Sequence, residues 1–130
     1  MSQAIGAETS FRLLVLDEAG KLHALLSERL VGQGYDIACA LTEQAARAFL
    51  DDEAQTLGAL VIDIERGNAP VAAVVARHAR RLNPLAPVIF VSDVPADVQG
   101  DLGASGAAFV VKPFDPGLLV MILEELAAGA

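Results

Sequence analysis

Two kinds of segment alternate along this chain, and few architectures accept such an order. Five apolar runs, FRLLVL (11–16), YDIACA (35–40), GALVI (58–62), PVIFV (87–91) and AAFVV (107–111), each have about the length of one strand. Between them lie segments whose apolar residues recur at helical spacing: Leu22, Leu25, Leu26 and Leu30, then Ala45, Ala46, Phe49 and Leu50, then Val71, Val74, Val75 and Leu82. The last segment, DPGLLVMILEEL, opens with Asp115 as a capping residue and Pro116 at the first helical position. The runs at 12–16, 59–62 and 87–91 are almost free of polar residues, as strands covered on both faces are. The alternation predicts an α/β fold, a parallel sheet flanked on both sides by helices. Folds of this kind carry their chemistry at the carboxyl ends of the strands, beside the point where strand order reverses.

The length of 130 residues suits one domain with a full core, so a single domain over 11–128 is expected, with residues 1–10 as a fraying N-terminus. The formal charge of −8, with only 9 basic residues, repels phosphate backbones and anionic lipid. We therefore expect no direct nucleic-acid or membrane binding by this domain, and a positive partner surface or a metal cation instead. Cys39 has no cysteine to pair with and is expected in the core. Every apolar run is broken well before 18 residues. The expected setting is the cytoplasm.

The run FVVKPF (109–114) poses a chemical question, because lysine is rarely buried without a partner. The other strand ends supply one. The first run is followed by Asp17 and Glu18, the third by Asp63, and the fourth by Ser92 and Asp93. Carboxylates gathered at one sheet edge repel unless cations neutralise them. Lys112 supplies one charge, and an all-oxygen site completed by water suits Mg²⁺.

Taken in order and at their separations, LLVLDE, ALVIDI, PVIFVS and FVVKPF resemble the receiver domain of bacterial two-component response regulators, from about residue 11 to the last helix. The resemblance implies a five-stranded parallel sheet with five helices, a flavodoxin-like (CheY-like) three-layer sandwich. It implies that Asp63 accepts a phosphoryl group from a histidine kinase or phosphotransfer protein. Asp17, Glu18, Asp63 and the main-chain carbonyl of Glu65 would hold Mg²⁺. Lys112 would pair with a phosphoryl oxygen, and Ser92 would donate its hydroxyl to the same group. Phe109 would be the aromatic switch, and the Lys112–Pro113 bond would be cis. The protein would be no enzyme beyond its own phosphorylation and dephosphorylation, and it would signal to a downstream protein that the sequence does not name. The chain would be a single-domain regulator or the receiver of a longer protein.

The sequence also departs from the family pattern. Glu18 replaces the commoner second aspartate, and IERGNAPV after Asp63 lacks the usual proline and glycine, with Gly67 in its loop. Asp93 follows the switch hydroxyl where a small residue is usual. Gly100, Gly103 and Gly106 predict a short fourth helix, since each glycine costs about 1 kcal/mol against alanine inside a helix. These departures motivate an alternative, a pseudo-receiver scaffold without phosphate cycling. A phosphatase of haloacid-dehalogenase type shares the functional groups, but its nucleophile precedes its acidic pair. The bland readings are that Asp17 and Glu18 only start a helix, that His23 and His78 are packing or surface residues, and that GQGYDI (32–37) is a helix stop.

Overall fold

The computed structural model describes residues 11–65, 69–92 and 107–129. In chain order the elements are β1 (Phe11–Leu16), α1 (Lys21–Leu30), β2 (Tyr35–Ala40), α2 (Glu43–Glu53), a 3₁₀ turn (Ala54–Thr56), β3 (Ala59–Ile64), α3 (Ala69–Leu82), β4 (Val88–Ser92), β5 (Ala108–Val111) and α4 (Pro116–Gly129). The five strands form one parallel sheet in the order β2-β1-β3-β4-β5. Among the described residues there are four α-helices. The expected short helix, with Gly100, Gly103 and Gly106, lies outside the described residues, as do 1–10, Gly67 and Asp93.

Alternate residues of each strand feed two separate cores, as the period of two requires. Leu14, Leu16, Leu60, Ile62, Ile64, Val88 and Phe90 pack against α2 and α3. Leu13, Val15, Ala59, Val61, Ile89, Val91 and Val110 pack with Leu22, Leu26 and Leu30 of α1 and with Leu119 and Leu123 of α4. The result is helix, sheet, helix in three layers, the α/β architecture predicted from the alternation. Burying each large apolar side chain contributes roughly 1.5–3 kcal/mol, so both layers are strongly held to the sheet.

The local chemistry explains the element ends. Thr42 caps α2, its Oγ1 accepting from the Ala45 N–H at 3.1 Å. Asp115 caps the last helix by accepting from the Gly117 N–H at 2.9 Å. The GQG triplet does stop α1, because Gly32 and Gly34 take φ values of 75° and 87°, a region that side-chain-bearing residues avoid.

Three details differ from the sequence expectations. β3 continues through Asp63 to Ile64, because both residues pair with β4 opposite Val91 and Ser92. The buried face of α3 is mainly alanine, with Ala72, Ala73, Ala76 and Ala79 beside Val75, whereas Val71 and Val74 are only half-buried. Small side chains let this helix lie close to its neighbours. Cys39 is exposed and not in the core, on β2 at the edge of the sheet.

Candidate functional site

Strand order reverses between β1 and β3, where the chain winds outward in opposite directions. Leu16 pairs with Ile62, so Asp17 and Asp63 stand one residue further along, on the same level. Ser92 ends β4, and its carbonyl accepts from the Lys112 N–H at 2.8 Å, which brings the end of β5 to the same edge. Asp17, Asp63 and Ser92 are the buried polar and charged residues of the described chain, at 1%, 8% and 1% exposure, and all lie at this edge. A fold stabilised by apolar packing keeps such groups only where they are partnered or used.

Asp17 is partnered on one side alone. Its Oδ2 accepts from the main-chain N–H of Leu22 at 2.5 Å and of His23 at 3.3 Å, capping α1. Acids starting a helix are thus part of the explanation of this residue. Its Oδ1 is buried without a hydrogen-bond partner. An unsatisfied buried oxygen costs roughly 1–3 kcal/mol, and a bound cation would remove that cost.

Lys112 answers the question raised by FVVKPF. Its Nζ lies 2.5 Å from Asp63 Oδ1 and 3.0 Å from Glu65 Oε2. Burial works against the Lys112 charge, but the two carboxylates overcome it and raise its pKa above the ordinary lysine value. Glu65 is shifted down, chiefly by its hydrogen bond to Lys112. Asp63 is raised to about 6, first by burial and then by the charges of Asp17 and Glu65, with Lys112 opposing the rise. The site therefore carries more negative than positive charge.

A cleft of about 190 Å³ opens beside Asp63, walled by Leu41, Thr42, Val71 and Ala72 with Glu18 on its lining. Glu18 is exposed there. Among the described residues no three carboxylate, imidazole or thiol side chains stand close enough to make a metal-binding group. A magnesium ion needs fewer, since it is usually held by one or two carboxylates and keeps much of its water. The unpartnered Oδ1 of Asp17 beside the Asp63 carboxylate fits such an ion.

Phe109 is half-buried, its ring 5.3 Å from Phe90 across the β4–β5 pair and tilted by 30°. The Lys112–Pro113 peptide bond is cis. His78 is partnered by Asp51 at 2.7 Å, a bridge between α3 and α2 away from the site. The side chain of Glu65 is the participant that the sequence reading missed, having considered only its carbonyl. An acid two residues beyond Asp63 on the same strand end was the available signal.

No family model matches the chain, and no curated protein sequence matches it. Solved structures do. A response regulator receiver protein from Sinorhizobium medicae aligns over 92% of this chain and 94% of its own, at 23% identity and a TM-score of 0.73. A response regulator from Thermotoga maritima aligns over 92% and 98%, at 22% identity and a TM-score of 0.76. A CheY-like protein from Pseudomonas aeruginosa covers 90% of this chain with 99% of its own, at 16% identity and a TM-score of 0.74. Likeness at such identities is a likeness of fold. Among the described helices none is long and apolar enough to cross a membrane. With its 2-1-3-4-5 sheet and its acids gathered at the switch point, the chain has the fold of response-regulator receiver domains, the CheY-like arrangement.

Proposed function

We propose that this protein is a receiver that accepts a phosphoryl group on Asp63 from a histidine kinase or phosphotransfer protein. The observation that carries the reading is the Lys112–Asp63 ion pair of 2.5 Å at the switch point, beside the unpartnered Asp17 Oδ1. An ionised, aligned carboxylate can attack phosphorus directly, and catalysis is then mostly positioning and charge neutralisation. The Asp63 oxygen forms a bond to phosphorus as the bond from phosphorus to the donor breaks, the electron pair leaving with the donor. Lys112 is within reach of the charge that develops on the phosphoryl oxygens. Asp17, Asp63 and the Glu65 carbonyl are the residues that would hold Mg²⁺, which supplies further neutralisation of the transferring group when bound.

The output follows from the neighbours of the acceptor. Phosphorylation adds roughly −1.5 to −2 charges and three acceptor oxygens, and Ser92, which pairs with Val111 one residue before Lys112, would donate its hydroxyl to them. Movement there would be felt by Phe109, packed on Phe90 of the same strand as Ser92. A downstream protein would read the resulting surface. The chain would turn over no external substrate, and its meeting with a kinase or phosphotransfer protein places it in the cytoplasm.

One observation favours a second reading, a scaffold that no longer cycles phosphate: Lys112 is already paired with Glu65. A single experiment separates the two. The chain is incubated with Mg²⁺ and acetyl phosphate and weighed intact, beside Asp63→Ala. The receiver reading expects one phosphoryl group on the native chain and none on the variant. No addition to either chain selects the scaffold.

A further inference from the structure

One ammonium serves two carboxylates at this site, and their surroundings differ. Asp63 is buried, whereas the Glu65 side chain is 54% exposed at the outer side of the bridge. A phosphoryl group on Asp63 draws Lys112 toward its oxygens, and Lys112 can turn to them fully only by leaving Glu65. The Lys112–Glu65 contact is thus present in the resting state and lost as charge builds on the acceptor. An interaction that is stronger in the ground state than in the transition state slows the reaction.

From this geometry we propose that Glu65 is a positioning residue, holding Lys112 in a shared bridge with Asp63 and thereby restraining phosphoryl acceptance. The proposal rests on the acceptor reading given above. The restraint is modest and releasable, because a half-exposed carboxylate can swing into water without leaving a buried charge behind. It requires the side chain of Glu65 and not its main chain. Glutamine at this position keeps the length and the carbonyl but removes the charge that competes for Lys112.

The test compares the native chain with Glu65→Gln in phosphoryl uptake from acetyl phosphate with Mg²⁺, over a range of donor concentrations. Asp52→Asn, on an exposed position of α2, serves as the charge-matched control. In the reaction the bond from Asp63 to phosphorus forms, the phosphorus–oxygen bond to acetate breaks, and acetate leaves with the electron pair. The maximal rate in Glu65→Gln is expected to rise about threefold to fivefold, the worth of a half-exposed ion pair. The half-saturating donor concentration should not change, and Asp52→Asn should match the native chain. A change in the half-saturating concentration alone, or an equal change in both variants, makes Glu65 a mere surface charge and overturns the bridge. Equal maximal rates in all three chains overturn it too, while leaving Asp63 as acceptor. Uptake by none of them removes the acceptor reading itself, and the proposal with it.

Discussion

Asp63 holds its proton more tightly than an ordinary aspartate, with a pKa raised from 3.8 to about 6, mainly through burial. Between these values the folded chain binds more protons at this position than the unfolded chain does. Stability contributed at Asp63 therefore falls as pH rises through that window, by on the order of 3 kcal/mol once ionisation is complete. Urea unfolding without divalent cations, at pH about 4 and about 7, should show this decline in the native chain and a smaller one in Asp63→Asn. An identical pH response in the two chains would mean that burial does not penalise this carboxylate. The same residue shows what a sequence can reveal. Its position next to a half-buried lysine was legible from FVVKPF and the acidic strand ends, because a lysine there demands a counter-charge. The third member, the Glu65 side chain, was not legible, since which rotamer an exposed carboxylate takes depends on the arrangement of neighbours in space.

The strands were the most legible elements, because parallel strands buried on both faces appear as unbroken apolar runs. β1 and β2 match FRLLVL and YDIACA residue for residue. α3 was harder to orient, because its valines suggested one face and the alanines Ala72, Ala76 and Ala79 supply the buried one. Hydrophobic size misleads wherever close approach is what packing needs. The entry into β3 depends on the same consideration. A Cβ at Gly58 would lie 2.6 Å from the Phe11 ring, while the Gly58 N–H donates to the Arg12 carbonyl at 2.7 Å, so the backbone cannot retreat freely. Gly58→Ala should destabilise the fold by about 1–3 kcal/mol through overpacking, read as a lowered midpoint in urea. An unchanged midpoint would show that the Phe11 ring moves aside at little cost.

The sheet order makes these separate details act together, since it brings Asp17, Asp63, Ser92 and Lys112 from four strand ends to one edge. A cation that satisfies the orphaned oxygen of Asp17 binds the folded chain alone, so it must stabilise the fold by mass action. Magnesium at about a hundred times its dissociation constant should add about 2.7 kcal/mol, seen as a rise in Tm that Asp17→Asn abolishes. An equal rise in the variant would place the ion elsewhere. Fold and edge were legible from the order of the runs, whereas the residues from 93 to 106 lie outside the described structure and their expected helix with them. The central claim is that the acceptor is Asp63 and no other acid. Reductive trapping with borohydride after exposure to Mg²⁺ and acetyl phosphate, followed by peptide mapping, locates an acyl phosphate directly. The account predicts modification of the peptide carrying Asp63 and of no other. Modification at another carboxylate, or at none, would contradict it.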